Sequence, residues 1–364
     1  MKKSFILLPV ILLLAALSLL TGLWAGLLRL GWTLPNIHVD VSQSHGILMV
    51  SGFLGTVIAL ERVVALKKLW MFGAPLFSAF GWVLSLAFPK TGIGPLLITL
   101  GSFIMVLILA YMVRREPAIH TIMIGVGALS WFIGNALWLS GLAIYQVVYW
   151  WAAFLILTIT GERLELSRVL RMTKKKRVLF LSAAGIFLAG VVLGMFANNA
   201  GARVAGLGML SLTVWLLWFD IARRNLNHRL PLTRYISRCL FAGYFWLGFA
   251  GMLSLWYGAV YAGPPYDAVF HSIFIGFTIS MIFGHAPIIL PAFLNRTLPF
   301  HPSFYVSLVL LHASLIARIA GDLGGWYRLR QWGGMFNEIS ILLFLGMLII
   351  TIRTQPQQIP TRAQ

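Results

Sequence analysis

Long apolar runs, separated by short polar links, occupy almost the whole chain. The hydrocarbon core of a bilayer is about 30 Å thick, and an α-helix needs about 20 apolar residues to cross it, so the 364 residues hold about twelve such runs. Their predicted limits are 4–30, 45–66, 69–88, 93–113, 119–140, 145–167, 178–197, 201–222, 235–261, 268–291, 303–322 and 331–352. The sequence therefore predicts an all-α polytopic membrane protein, with residues 1–364 forming a single transmembrane domain.

The composition excludes a large soluble domain. Apolar residues make up 60% of the chain and charged residues only 10%, whereas soluble domains carry about 25% charged residues. Cys239 is the only cysteine, which excludes an internal disulfide and any site built from several cysteines. The net charge of +19 does not indicate nucleic-acid binding, because the bases lie at the ends of the apolar runs. The lipid bilayer is the expected partner.

The distribution of basic residues predicts the orientation of the chain. If the N-terminus is cytoplasmic, only six of the 28 Lys and Arg residues fall on the outer side. These six are Arg29, Lys90, Arg203, Arg318, Arg328 and Arg330. Cytoplasmic loops of membrane proteins carry an excess of Lys and Arg. We therefore expect a multi-pass protein of the cytoplasmic (inner) membrane with both termini in the cytoplasm, and we interpret the first apolar run as a span rather than a signal peptide.

Three apolar runs resemble one another. Glu61-Arg62 near the end of the second run recurs as Glu162-Arg163 in the sixth, and the histidine at the start of the second recurs in the tenth. The three segments are SHGILMVSGFLGTVIALERVVALKK (44–68), YWWAAFLILTITGERLELSR (149–168) and HSIFIGFTISMIFGHAPIILPAF (271–293). Their constant interval of four spans predicts three pseudo-equivalent arcs of four helices around one axis.

His45 and His271 each begin a span that enters from the outer face, so they are predicted to lie at the same depth on equivalent helices. Two neutral imidazoles in this arrangement suit the axial ligation of a haem iron. Nearby glycines would let a flat macrocycle approach the backbone, and these are Gly46, Gly52, Gly55 and Gly276. The alternative is that each histidine only anchors its helix at the interface. The sequence leaves both open.

Further ionisable residues lie within predicted spans, where they are costly unless they have a partner or a task. His285 lies about 21 Å beyond His271 along an ideal helix, so the two do not ligate one metal ion. His312 and Glu338 lie in the last two spans, where a second metal, a proton path or a mutual hydrogen bond would explain them. The candidate metal ligands are thus His45, His271, His285 and His312.

Arginines near span ends have two interpretations each. Arg318 would bind haem propionates from the outer half of its span, or would pair with Asp322 one turn later. Adjacent residues point about 100° apart on a helix, so each Glu-Arg pair is badly placed to neutralise itself. Cross-pairing of Glu61, Arg62, Glu162 and Arg163 between the two helices predicts a charge clamp, and the alternative is an opening for protons.

These motifs resemble a known family. The N-terminal AALSLLTGLWAGLLRLGW, the histidine-led second span, HSIFIGFTISMIFGH and the Tyr305 to Arg318 stretch are similar to segments of the NnrS family, haem- and copper-containing membrane proteins of the nitric oxide response. The resemblance implies a haem of b type, with copper as a further cofactor and nitric oxide or another small gas as ligand. It identifies no electron donor.

Twelve spans in three arcs, with histidines on the second and tenth, also distantly resemble the catalytic subunit of haem-copper oxidases. That subunit has a histidine on its sixth span, a His-His pair on its seventh and an H-x-H on its tenth. Residues 144–197 of this chain contain no histidine, and no H-x-H occurs. An oxygen-reducing haem-copper centre is therefore not expected.

The resulting hypothesis is a haem-binding membrane protein that protects against nitric oxide, with redox activity left open. The main alternative is a transporter of small molecules or metabolites with a polar pathway at mid-membrane, for which Pro287 and Pro291 would break the tenth span. A structural subunit without a cofactor is the third possibility, and it leaves the matched histidines unexplained.

Overall fold

The fold consists of long α-helices. The computed structural model describes residues 2–35, 41–170, 172–294 and 300–353. Within these ranges there is no β-strand, and twelve helices are long and apolar enough to cross a membrane. They are α1 (Lys2–Arg29), α2 (Ser42–Leu66), α3 (Leu69–Ala87), α4 (Ile93–Arg115), α5 (Ile119–Leu139), α6 (Ile144–Leu166), α7 (Lys174–Leu193), α8 (Asn198–Phe219), α9 (Pro231–Tyr257), α10 (263–294), α11 (Phe304–Gly324) and α12 (Tyr327–Arg353). The predicted all-α polytopic class is confirmed.

Some helices begin earlier than the apolar runs predict. The seventh span was expected at 178–197, but α7 is Lys174–Leu193. Its first turn contains Lys174, Lys175, Lys176 and Arg177, and the Thr173 side chain caps it by accepting a hydrogen bond from the backbone N–H of Lys176 at 3.4 Å. A hydropathy window omits such a turn because the window follows side-chain polarity, whereas the helix follows backbone hydrogen bonding.

Contacts between residues divide the chain into two compact units, Met1–Glu165 and Leu166–Gln364. The boundary falls at the end of α6, so among the described residues each unit holds six of the long helices. This division does not follow the four-helix interval of the sequence motifs. The three-arc arrangement concerns all twelve spans together and stays a prediction.

Glycines allow close packing of consecutive helices within each unit. In the first unit, a Cβ atom added to Gly94 of α4 would lie 2.4 Å from the backbone nitrogen of Ser85 in α3. In the second unit, a Cβ on Gly190 of α7 would lie 2.1 Å from the backbone nitrogen of Ala205 in α8. Membrane helices associate through such small residues, which let their backbones approach.

Two of the spans are wound partly as π-helix. The π segment is Leu48–Gly55 in α2 and Ser272–Ile279 in α10. His271 immediately precedes the segment in α10, and the short turn His45–Ile47 precedes the one in α2. π-helical turns are rare and frequently lie at functional sites. His45 and His271, the pair expected to ligate haem, thus adjoin the two π segments of the described residues.

The prolines of the tenth span do not interrupt it. Pro287 and Pro291 lie inside the α-helical segment Ser280–Leu294. The predicted break at these positions is therefore wrong. In a membrane span, local adjustments and neighbouring groups satisfy the backbone atoms that a proline leaves unpaired.

Candidate functional site

A group of interacting charged side chains within the membrane-spanning helices lies in the second unit, on α10, α11 and α12. Arg318 of α11 donates from Nε to Oδ2 of Asp267 and from Nη2 to Oδ1, and both distances are 2.8 Å. The side chains of Arg318 and Asp267 are 8% and 11% exposed. A bidentate arginine–carboxylate pair is among the strongest side-chain interactions, and burial removes competition from water. We call Asp267, His271, Arg318, Asp322 and Arg330 the polar cluster.

The contacts of His271 define its tautomer. Arginine nitrogens only donate hydrogen bonds, so Nε2 of His271 accepts from Nη2 of Arg318, 3.3 Å away. Nδ1 then carries the ring proton, and it lies 3.0 Å from the backbone oxygen of Asp267 and 3.1 Å from Oδ1 of the same residue. In this geometry Nδ1 is the donor of the ring and Nε2 the acceptor.

A second charge pair completes the polar cluster. Nε of Arg330 in α12 lies 2.7 Å from Oδ1 of Asp322 in α11, although the N–H does not point at that oxygen well enough for a hydrogen bond. Nη2 of Arg330 is also 3.8 Å from Oδ1 of Asp267. Two arginines and two aspartates thus balance in charge, which is how charged groups persist inside a membrane protein.

Glycines bring the two arginine-bearing helices together. A Cβ on Gly333 of α12 would lie 2.4 Å from the backbone nitrogen of Arg318, and one on Gly321 of α11 would lie 2.3 Å from that of Arg330. The α11–α12 hairpin turns at Gly325, whose φ of 70° is in the left-handed region that favours glycine. Each arginine therefore lies opposite a glycine of the other helix, where the backbones are closest.

The partners of Arg318 and Asp322 differ from those expected. The sequence offered an Arg318–Asp322 pair within one helix, but each residue pairs with a different helix instead. The cross-helix arrangement gives Arg318 a bidentate partner, which the pair along α11 does not. Binding of haem propionates by Arg318 stays a prediction, and it would require the guanidinium to share or exchange its Asp267 hydrogen bonds.

His312 and Glu338 do not bond to each other. Nδ1 of His312 accepts from Nε1 of Trp246 at 2.9 Å, and Nε2 lies 3.4 Å from the hydroxyl of Ser280. Glu338 interacts electrostatically with Arg318. Among the described residues, Glu338 has no ion pair within 4 Å. The predicted mutual hydrogen bond is wrong, because the imidazole of His312 accepts its hydrogen bond from the indole of Trp246 in α9 instead. A metal-binding role for His312 stays a prediction that would compete with both of these hydrogen bonds.

His45 lies in the first unit, and its Nδ1 faces a backbone carbonyl as that of His271 does. Its Nδ1 is 2.7 Å from the backbone oxygen of Gly22 in α1, and a carbonyl oxygen only accepts. The Nδ1 of His45 therefore carries a proton and donates it to this carbonyl. His285, in the second unit, repeats this pattern within its own helix, since its Nδ1 is 2.8 Å from the oxygen of Met281.

The glycines expected to admit a porphyrin face the protein's own side chains. A Cβ on Gly55 would lie 2.2 Å from the ring of Trp131, and one on Gly276 would lie 2.3 Å from the ring of Trp246. Gly52 similarly faces Ser18 and Trp82. Gly46 is looser, with its nearest neighbours, Ile144 and Trp151, both 3.7 Å away. Gly52, Gly55 and Gly276 therefore do not present open backbone to a macrocycle, and that expectation is wrong for these three.

The Glu-Arg pairs of the first unit interact across α2 and α6. Arg62 donates from Nη2 to Oε1 of Glu162, and Glu61 interacts electrostatically with both of these residues. Arg163 is buried, with 3% of its surface exposed. The cross-pairing predicted for the clamp is confirmed for Arg62 and Glu162. His120 of α5 lies beside it, with Nε2 3.8 Å from Glu116 and 4.0 Å from Glu165.

Comparison with known proteins gives a family without an assigned role. Residues 8–353 match the family model described as Domain of unknown function (DUF8744). The chain belongs to this family. No curated protein and no solved structure matches it. The resemblance to the NnrS family therefore stays a prediction, and the function of this DUF8744 protein has to be argued from its own side chains.

Asp267 is the functional candidate of this DUF8744 chain that sequence reasoning missed. It is an acidic residue one helical turn before His271, and that spacing places both side chains on the same face of α10. Among the described residues, no group of three or more His, Cys, Asp or Glu side chains is arranged to hold a metal ion. The sites that the side chains do form are the polar cluster and the two Nδ1-protonated histidines at the π segments.

Proposed function

We propose that the chain is a haem-binding membrane protein, with His45 and His271 supplying imidazole ligands through Nε2. The observation that carries the proposal is the shared state of the two rings. Each donates its Nδ1 proton to a backbone carbonyl, that of Gly22 or Asp267, and each precedes a π-helical segment. Histidines that ligate metals almost always donate the other ring proton in this way, which fixes the tautomer and orients the ring.

The surroundings of His271 suit a metal ligand, at the cost of one hydrogen bond from Arg318. The carboxylate of Asp267 lies 3.1 Å from Nδ1, as in the carboxylate–histidine pairs that increase the basicity of a metal-ligating nitrogen. Arg318, at 3.3 Å from Nε2, would have to give up that hydrogen bond. It would keep both 2.8 Å hydrogen bonds to Asp267, so the loss is confined to the longest contact of the guanidinium.

A role in the response to nitric oxide is the biological part of the proposal. Haem iron supplies one-electron chemistry and binds small gases, with the outcome set by axial ligands and by the polarity of the pocket. The resemblance of the histidine-led spans to the NnrS family supports this role. Copper is a further cofactor implied by that resemblance alone.

An absorption spectrum of the purified protein tests the proposal. After supplementation with haem, we expect a Soret band in the wild type. His45→Ala and His271→Ala should each remove or shift it, while His228→Ala, which changes a histidine outside the spans, should leave it unchanged. Absence of the band in the wild type would refute haem binding. A band that survives both single substitutions would refute the ligand assignment.

Proton-coupled transport of a small solute is the second candidate, favoured by the polar cluster. Its two arginines and two aspartates balance, which leaves the Glu338 carboxylate, near Arg318, as the charge without a counter-ion. A partly buried carboxylate of this kind within a span is suited to binding and releasing a proton. Proton flux into liposomes containing the protein and a pH-sensitive dye tests this. We expect Glu338→Gln to lower the flux, whereas flux equal to that of protein-free liposomes would refute transport.

A further inference from the structure

Basic residues are concentrated on one end of α7, α8 and α9 in the second unit. We define the basic surface as six exposed side chains around the start of α7 and the connection from α8 to α9. They are Lys174, Lys175, Arg177, Arg223, Arg224 and Arg229. Among the described residues, none of the six forms an ion pair with an acid. The surface therefore carries uncompensated positive charge.

The two segments that supply these bases are held together. Nε1 of Trp215 in α8 donates to the backbone oxygen of Lys176 in α7 at 2.9 Å. Nζ of Lys176 lies 5.3 Å from the centre of the Phe219 ring, at the end of α8. The Ser167 hydroxyl lies 3.5 Å from Oδ2 of Asp220 and 3.3 Å from the backbone nitrogen of Ile221. The first turn of α7 is thus fixed beside the segment that carries Arg223 and Arg224.

No acidic residue of this region reaches the surface. Between residues 172 and 262 the sequence contains one acid, Asp220. Its side chain is buried, and its Oδ1 accepts a hydrogen bond from the backbone N–H of Ala222 at 2.6 Å. It serves as a local cap and is not available to the exposed bases. A further base of this region, Arg234 at the start of α9, has a buried Nε atom with no hydrogen-bond partner.

The first unit provides a contrast. Three of its bases near helix ends have partners, which are a glutamate for Arg62 and an aromatic ring for Lys68 and Arg115. Arg62 pairs with Glu162, while Lys68 and Arg115 lie 4.1 and 4.8 Å from the centre of the Tyr111 ring. Excess positive charge in cytoplasmic segments orients a membrane protein generally. Among the described residues, the basic surface of the second unit collects six exposed bases, none of which forms an ion pair.

Apolar residues next to the bases indicate which partner fits. Val178 follows Arg177 directly and is 51% exposed, and Trp218, five residues before Arg223, is 59% exposed. Side chains of this kind lie at the boundary between acyl chains and headgroups, and tryptophan is enriched there. A ligand that contacts both the bases and these residues has an anionic head and an apolar body. A soluble polyanion such as RNA would contact only the bases.

We propose that the basic surface binds the headgroups of acidic phospholipids. Arginine and lysine near an anionic membrane surface each add to the attraction, and arginine pairs with phosphate through two hydrogen bonds. The site is independent of the haem proposal, because it involves neither histidine nor any residue of the polar cluster.

Binding of phosphatidylglycerol and of phosphatidylcholine to the detergent-purified full chain tests this proposal. We expect the wild type to bind phosphatidylglycerol at least about tenfold more tightly. The variant K175Q/R223Q/R224Q/R229Q should lose most of that preference. The control K67Q/K68Q/R114Q/R115Q removes the same number of charges from the first unit and should retain it. Equal affinity of the wild type for both lipids, or equal losses in the two variants, would overturn the proposal.

Two measurements on the wild type keep the test independent of how the variants fold. About 0.5 M NaCl should reduce the preference for phosphatidylglycerol, because salt screens exposed charges. A preference that salt leaves unchanged would contradict a surface of exposed bases. Inorganic phosphate at millimolar concentration should not displace the lipid, since it lacks the apolar body. Displacement by phosphate would assign the surface to a free anion and overturn the lipid assignment.

Discussion

Arg318 and Asp267 form a bidentate ion pair that joins α11 to the beginning of α10, with both hydrogen bonds 2.8 Å long. The same carboxylate also contacts His271 and lies 3.8 Å from Arg330. Asp267 is thus the residue through which three helices of the second unit interact. Its removal should have larger effects than the removal of any single exposed charge.

Substitution of either member of this pair should destabilise the protein strongly. Asp267→Asn and Arg318→Met each leave a buried charge without its counter-ion, which typically costs about 3–5 kcal/mol. The double variant should lose less than the sum of the two single losses, because it leaves neither charge unpaired. Unfolding in detergent micelles measures these free energies. Arg328→Gln changes an exposed arginine nearby and serves as the control, and strict additivity of the two substitutions would contradict the pairing.

Two glycines of α12 should respond in opposite ways to the same substitution. In Gly333→Ala the new Cβ would lie 2.4 Å from the backbone nitrogen of Arg318, so the helices must separate, at a cost of about 1–3 kcal/mol. In Gly346→Ala the new Cβ meets nothing within 4 Å, and the change should gain up to about 1 kcal/mol of helix propensity. Thermal unfolding of the two variants checks this. Equal shifts would show that α11 and α12 do not pack closely at Gly333.

Loss of the clamp in the first unit should lower stability. Arg62→Ala leaves Glu162 without its partner, and Arg163→Ala empties the site of a buried side chain. Both should lower the melting temperature more than Lys174→Ala, because exposed positions usually change stability by less than about 0.5 kcal/mol. The comparison is made by thermal unfolding under one set of conditions. If all three variants melt together, the charges at the ends of α2 and α6 have no clamping role.

The Trp246–His312 hydrogen bond should show the asymmetry of buried polar pairs. His312→Leu leaves the indole N–H of Trp246 without its acceptor, which costs about 1–3 kcal/mol. Adding Trp246→Phe removes the unsatisfied donor, so the double variant should recover part of the loss. His301→Leu, at an exposed position, is the control. A double variant that loses the full sum of the two single effects would argue against the hydrogen bond.

The sequence predicted the helices well because one physical effect dominates them. A span must be apolar over about 20 residues and must satisfy its own backbone, so hydropathy alone locates it. Cross-pairing of Arg62 with Glu162 was predictable for a related reason, since adjacent residues on a helix diverge by about 100° and must find partners elsewhere.

The partners of the second unit were not predictable in this way. Arg318 has Asp322 one turn away on its own helix, and no periodicity in the sequence reveals that Asp267 of α10 faces it instead. The choice depends on the rotation of three helices and on how closely Gly321 and Gly333 let two of them approach. The same limit applies to His312, whose hydrogen bond to Trp246 depends on a contact between α9 and α11.

The π segment of α10 allows one continuous span to contact different side chains before and after it. Before it, His271 contacts Arg318, and directly after it the Ser280 hydroxyl donates to the backbone oxygen of Cys239 at 2.7 Å and lies near His312. A wider helical turn shifts the angular phase of every residue that follows, yet it keeps the main-chain hydrogen bonds that lipid demands. If the same residues Ser272–Ile279 were wound as ordinary α-helix, the far half of the span would be rotated away from its present partners. The tenth span thus behaves as two helices with different facing, joined without a break.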